Sequence, residues 1–174
     1  QRTGVAKLVI LDIGCGMGKA LQDIKELDPN IETHGITMEP EPAMFNADYF
    51  HYIVAERMPL SFRGKFHLII SNMAFRYFLF QNIALLNVVK ALAGGGYADL
   101  HFSYESSHGT PSSEEYFLKI VPGVRSSYEA MKILMRKTMV ELEGLQEAGK
   151  LKIIPSSNFY EQNMQGGIKI EKLS

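Results

Sequence analysis

Within seven residues, Asp12-Ile13-Gly14-Cys15-Gly16-Met17-Gly18, three glycines alternate at the point where an apolar run gives way to a helical pattern. The run before them, Lys7 to Asp12, is Val, Ile and Leu with almost no polar alternation, as a strand covered on both faces of a parallel sheet requires. After them Ala20, Leu21, Ile24 and Leu27 recur at helical spacing until Asp28-Pro29-Asn30 stops the helix. A turn this tight between strand and helix needs residues without Cβ, so that the backbone can bend and a ligand can lie against it. The spacing argues against two phosphate-binding solutions. A dinucleotide loop, G-x-G-x-x-G, would need glycine where Lys19 stands. A nucleotide-triphosphate loop would need a hydroxyl after Gly18-Lys19, where the chain has Ala20, and a different glycine spacing.

The strand and helix alternation continues. Strands are expected at Ile31 to Met38, Tyr52 to Ala55, Lys65 to Ser71 and Tyr97 to Phe102. Helices are expected at Glu41 to Phe50 and over Ile83 to Leu92, the latter ended by Gly94-Gly95-Gly96. Such a rhythm implies a parallel sheet with right-handed crossovers. Ser103 to Ser113 is polar, carries Gly109 and Pro111, and reads as a long loop suited to a lid or a binding role. Ser126 with Glu129 forms a capping box ahead of a long helix, in which Tyr128, Met131, Met135, Met139, Leu142 and Leu145 keep the spacing of a core-facing stripe until Gly149. Leu151 to Ile154 and Gly167 to Glu171 read as a closing hairpin.

Composition narrows the class of protein. Across 174 residues, 46% hydrophobic and 21% charged content fits one ordinary domain with its own core and excludes a disordered chain. Eighteen basic and nineteen acidic residues leave a net charge of −1, so no overall field points to nucleic acid or an anionic membrane. The basic residues Arg125, Lys132, Arg136 and Lys137 are interleaved with Glu129, Glu141 and Glu143, the pattern of a solvated helix face. No apolar run approaches the roughly 20 residues that span a bilayer. The single cysteine, Cys15, cannot form an internal disulfide, which points to a reducing, cytoplasmic setting. It also leaves no thiolate cluster, and with no H-E-x-x-H the sequence offers no metal site. The chain opens at Gln1 and enters a strand within a few residues, which suggests a piece of a longer protein with an upstream segment.

The D-x-G-x-G-x-G pattern at Asp12 to Gly18 resembles motif I of the class I S-adenosylmethionine-dependent methyltransferases. Ala55-Glu56-Arg57-Met58-Pro59-Leu60, then Phe66-His67-Leu68-Ile69-Ile70-Ser71-Asn72, is similar to the family's third and fourth strand ends. Ala91-Leu92-Ala93-Gly94-Gly95-Gly96-Tyr97 is similar to its approach to strand five, and the terminal hairpin to its antiparallel sixth and seventh strands. The resemblance covers nearly the whole chain. It implies an α/β three-layer sandwich with a mostly parallel seven-stranded sheet, one cofactor-binding domain over residues 1–174, and methyl transfer from S-adenosylmethionine, leaving S-adenosylhomocysteine.

By that resemblance the cofactor's methionine part would lie on Gly14, Cys15, Gly16 and Gly18, with Asp12 attracting its ammonium group. Either Thr37, at the end of strand two, or Glu39, two residues later, would meet the ribose, with Met38 between them also in the cofactor set; Glu56 would meet the adenine amino group; Ser71, ending strand four, completes the set. Two positions depart from the family pattern. Thr37 stands where an acid is usual, and His67 where aspartate is common. The resemblance therefore also admits a non-catalytic module with a regulatory or scaffolding role.

Methyl transfer is an in-line displacement from a good leaving group, so positioning and desolvation supply most of the acceleration and no nucleophilic side chain is needed. No catalytic residue is assigned from the sequence. Arg76, Tyr77, Tyr104, Glu105 and His108 are the polar candidates for contact with an unidentified acceptor, which can be a small molecule or a macromolecule. The segment Ser71 to Tyr77 lacks the Asn/Asp-Pro-Pro-aromatic signature of many base and glutamine amino-methyltransferases.

Overall fold

The computed structural model describes residues 7–38, 47–72, 74–75, 78–102, 119, 121–155 and 166–174. The elements are β1 (Val9–Ile13), α1 (Lys19–Leu27), β2 (Glu32–Ile36), β3 (Tyr49–His51), β4 (Phe66–Ser71), α2 (Gln81–Ala91), β5 (Leu92–Phe102), α3 (Ser127–Glu147), β6 (Leu151–Pro155) and β7 (Gly166–Lys172). They form one seven-stranded sheet in the order β3-β2-β1-β4-β5-β7-β6. Pairings from β3 through β5 are parallel, whereas β7 is antiparallel to both β5 and β6.

Strand alternation assigns the helices to layers. Leu11, Ile13 and Ile36 share one face and pack in a buried cluster with Ala84, Leu85 and Val88 of α2 and Met135, Met139 and Leu142 of α3. The expected methionine stripe is thus core at Met135 and Met139. The opposite face carries Asp12 and Gly35, which are register partners, and Leu21 of α1 packs against Gly35. The result is an α/β three-layer sandwich. Among the described residues no helix is long and apolar enough to cross a membrane.

Polar contacts fix the ends of the elements. Ser126 Oγ accepts from Glu129 N at 3.2 Å, the first half of the expected capping box, while the Glu129 carboxylate accepts from Arg125 N at 2.9 Å, one residue ahead of the cap, rather than from the Ser126 N–H. Lys172 Nζ, at the end of β7, donates to Leu92 O at 2.7 Å and Val89 O at 3.3 Å, closing the carboxyl end of α2. His67 Nδ1 accepts from Val9 N at 3.1 Å and joins the start of β1 to β4. The departure at His67 therefore carries a structural hydrogen bond between strands.

The third strand lies earlier than the sequence suggests. It occupies Tyr49–His51, while Ala55–Arg57, expected to include its end, forms a 3-10 turn. The expected helix over Glu41 to Phe50 is overturned at Tyr49 and Phe50, which are strand; residues 39–46 lie outside the described set. The glycine triplet serves β5 rather than only ending α2. The register steps from Phe66↔Leu92 to Leu68↔Tyr97, and a Cβ at Gly96 would come within 2.9 Å of two backbone oxygens, so the bulge requires glycine there.

A polar chain centred on the buried His34 links β2 and β3. Glu32 Oε1 lies 2.7 Å from His34 Nε2, and His34 Nδ1 lies 2.8 Å from His51 Nε2. Acceptance by Glu32 places the His34 proton on Nε2, so Nδ1 accepts the proton of His51 Nε2. Lys65 reaches Glu32 at 3.2 Å and lies over the Tyr49 ring. The His34 hydrogen bond is the main cause that holds the Glu32 carboxyl down at about 2, while burial depresses both imidazoles below the usual histidine value.

A histidine with a lowered folded-state pKa contributes stability that is present above its unfolded value, near 6.5, and is lost as pH falls below it. Urea unfolding at pH 7.5 and 5.5 should therefore show the wild type losing more stability on acidification than a His34→Gln/His51→Gln variant. Equal losses would show that the pair is not the acid-sensitive group.

Candidate functional site

The loop after β1 owes its shape to backbone handedness. Gly14, Gly16 and Gly18 have φ of +76°, +53° and +86°, all in the left-handed region that β-carbon-bearing residues disfavour. Ile36 O, at the end of β2, accepts from both Gly14 N at 2.8 Å and Cys15 N at 3.0 Å. Gly18 N then donates to Cys15 O at 2.8 Å and leads into α1. The three glycines differ in their surroundings. A Cβ on Gly14 would overlap the Ala74 Cβ, whereas a Cβ on Gly16 would meet no described residue within 4 Å. The loop is thus packed at its root and open at its middle, as a cradle for a ligand must be.

Side chains around the root are apolar or tied down, with one exception. Ser71 Oγ donates to Ile13 O at 2.8 Å and braces β4 against β1. Thr37 is only 2% exposed; its N–H donates to His51 O at 3.1 Å, and its side chain is hydrogen-bonded with the Cys15 thiol. Burial, reinforced by the Asp12 charge, pushes that thiol up to about 12, so Cys15 is a packing residue with no thiolate character at neutral pH. The exception is Asp12. It is 7% exposed, burial pushes its carboxyl up to about 7, and among the described residues no hydrogen bond compensates it.

Beside the loop lies a cavity of about 500 Å³ lined by Gly14, Ile36, Thr37 and Met38 from the ends of β1 and β2, Ile53, Val54, Glu56 and Arg57 after β3, and Phe78, Leu79 and Phe80 before α2. Its walls are mainly apolar. Glu56 rides on the 3-10 turn Ala55–Arg57, and its Oε1 accepts from Phe80 N at 3.0 Å. Among the described residues its Oε2 is buried with no hydrogen-bond partner. A buried carboxylate oxygen left unpaired costs about 1–3 kcal/mol unless a donor meets it.

The structure brings Gly14, Thr37, Met38 and Glu56 together at this cavity and sets Asp12, Cys15, Gly16, Gly18 and Ser71 around the loop that borders it. Glu56 lies five residues beyond β3, rather than at the strand end, and is brought to the cavity by the turn. Glu39 lies outside the described residues, as do Arg76, Tyr77, Tyr104, Glu105 and His108. Sequence reasoning missed the apolar walls, Ile53, Val54 and Phe78-Leu79-Phe80. The last three form a continuous apolar triplet just before a helix, a pattern that reads equally well as core. Among the described residues no group of three or more His, Cys, Asp or Glu side chains is placed to hold a metal ion.

The two glycines should respond differently to a methyl group. Gly14→Ala combines left-handed strain with overlap on Ala74 and should cost roughly 2–4 kcal/mol, whereas Gly16→Ala carries the strain alone, about 1 kcal/mol; urea midpoints would rank them. Asp12 has a raised folded-state pKa, so its contribution to stability is present below the unfolded carboxylate value, near 4, and is lost as pH rises through about 7. Asp12→Asn should therefore stabilise the fold at pH 8 by roughly 1–3 kcal/mol and give little gain at pH 4. A destabilised variant at pH 8 would show that the carboxylate has a partner.

No protein-family model and no curated protein sequence matches the chain. Solved structures do. The plantazolicin methyltransferase BpumL in complex with S-adenosylhomocysteine is 17% identical, with a TM-score of 0.59 over 98% of this chain and 77% of that one. A Methanococcus maripaludis protein assigned to the S-adenosyl-L-methionine-dependent methyltransferases is also 17% identical, with a TM-score of 0.53 over 99% of this chain and 81% of that one. The antibiotic-resistance methyltransferase Kmr is 14% identical, with a TM-score of 0.52 over 99% and 89%. With its strand order and its antiparallel β5-β7-β6 end, the chain has the Rossmann-like fold of the class I methyltransferases.

Proposed function

We propose that the chain is a single S-adenosylmethionine-binding domain over residues 1–174 that transfers the methyl group to an acceptor and releases S-adenosylhomocysteine. The observation that carries this reading is the pairing of an open left-handed glycine cradle with an apolar cavity whose wall holds one orphaned carboxylate oxygen, Glu56 Oε2. Such a site suits a ligand with a flat apolar base that ends in an N–H donor and carries no phosphate. The bordering Asp12 adds a second unpaired carboxylate, suited to an ammonium group. Structures of the same fold that hold S-adenosylhomocysteine support the assignment, although fold alone does not fix function.

When bound, the cofactor supplies a methyl group on a positively charged sulfur that leaves readily. The chain's own residues bind and orient. Gly14, Gly16 and Gly18 would offer backbone free of side chains, and Glu56 Oε2 would accept from the adenine amino group. Ile36, Ile53, Val54, Phe78 and Phe80 wall the base off from water, which strengthens the polar contacts at its edge. Displacement at the methyl carbon needs an acceptor held in line, so the protein's task there is placement. The lone cysteine supports a reducing, cytoplasmic setting.

Isothermal titration of the folded chain with S-adenosylmethionine and S-adenosylhomocysteine tests this, with micromolar binding of at least one expected. Gly16→Arg, which fills the open cradle, should abolish binding and leave the fold intact. Glu56→Gln should weaken binding about tenfold, because it turns a hydrogen-bond acceptor into a mixed group at the adenine edge. No binding by a folded wild-type chain would favour the non-catalytic module, and binding that survives Gly16→Arg would move the site elsewhere.

A further inference from the structure

Glu56 is held from two places on one helix. Its carboxylate Oε1 accepts from Phe80 N, the cap position of α2. Its backbone is held farther along the same helix, where Asn87 Nδ2 donates to Ala55 O at 3.1 Å and to Glu56 O at 3.0 Å. Phe80 and Asn87 are seven residues apart, close to two helical turns, so they present to the same side of α2 about 10 Å apart along its axis. The residue between these two anchors is stretched along the helix, with its backbone fixed at one end and one carboxylate oxygen at the other.

The second anchor answers a local need. In the 3-10 turn Ala55–Arg57, Arg57 N donates to Val54 O at 2.9 Å, a bond that does not use the carbonyls of Ala55 and Glu56. A side-chain amide carries two N–H donors in a fixed plane, and Asn87 spends both on these adjacent carbonyls. No apolar side chain at position 87 could do this, and the neighbouring helix positions Ala84, Leu85, Val88 and Ala91 are all buried apolar residues. A polar residue on that side of α2 thus works on the turn rather than on solvent.

The consequence reaches the cavity. With backbone and Oε1 both fixed, the direction of Oε2 is set before any ligand arrives, and among the described residues that oxygen is buried without a partner. An acceptor oriented in advance binds a donor without the entropy loss of ordering a free glutamate. We propose that Asn87 is a positioning residue for the adenine edge of the cofactor, acting through Glu56. The inference rests on the cofactor reading above and adds to it a residue that touches no part of the ligand.

The test compares two nucleosides that differ at that edge. S-adenosylhomocysteine presents an amino group, and S-inosylhomocysteine presents a carbonyl at the same place. Titration calorimetry of the folded wild type should show the amino compound binding at least about tenfold more tightly, as expected when an orphaned acceptor gains or loses its donor. In Asn87→Ala, which opens room for water at the two carbonyls, that preference should fall at least about fivefold. In a Glu56→Gln background the same alanine change should leave the preference unaltered, because the route through Glu56 is already gone.

Asn87→Ser, smaller and polar, is the second variant and should behave like alanine if alanine does not fold. Undiminished discrimination in a folded Asn87 variant overturns the proposal, as does an equal drop in both backgrounds, since general loosening of α2 would act in each. A wild type that binds neither nucleoside overturns the cofactor reading itself. That result is distinct from a wild type that binds and discriminates while the Asn87 variants do so equally well.

Discussion

One carbonyl organises the site. Ile36 O takes the N–H groups of Gly14 and Cys15 together, so the end of β2 fixes the first bend after β1. Everything beyond follows from that bend. Gly16 opens outward with no described residue near its missing side chain, Gly18 turns the chain into α1, and Ala74 packs against Gly14 from the β4 side. Because β1 and β2 are parallel neighbours in register from Val9↔Glu32 to Ile13↔Ile36, the carbonyl and the loop arrive at the same level of the sheet. The carboxyl ends of these central strands are where ligands gather in open parallel sheets.

The same arrangement leaves the site under tension. Among the described residues Asp12 lies almost fully buried at the end of β1 without a compensating bond, and Glu56 keeps one buried oxygen without a hydrogen-bond partner. Both cost stability, and a domain of this size has only about 5–15 kcal/mol in reserve. Tension of this kind is common where a fold holds groups for a ligand rather than for itself. The Glu32–His34–His51 chain works in the opposite sense, since each of its hydrogen bonds is made within the protein.

How much of this was legible in the sequence depended on whether a residue's role was set by its neighbours along the chain. The glycine loop was legible because left-handed backbone at alternate positions admits few residues other than glycine. The Ser126 cap of α3 and the closing hairpin were legible for similar local reasons. Strand three was misplaced because Tyr52-Ile53-Val54-Ala55 has the strongest strand character nearby, yet that run lines a cavity and enters a 3-10 turn. Phe78-Leu79-Phe80 could be recognised as apolar but not as lining, since only the position of α2 turns those residues toward the loop. Asn87 left the faintest trace, one amide in an apolar helix, and its two acceptors lie some thirty residues away in the chain.

The strand order has a consequence for how the sheet is completed as the chain is made. β7 follows β6 in the chain yet is inserted between β5 and β6, and its Lys172 closes the carboxyl end of α2. Until residue 172 is available, the growing chain carries an open edge along β5 and uncapped carbonyls at Val89 and Leu92. The parallel part of the sheet, with its glycine loop and cavity walls, is complete in sequence only with β5. Synthesis therefore leaves the β5 edge open after every parallel strand has been made, and that sticky edge waits for β7.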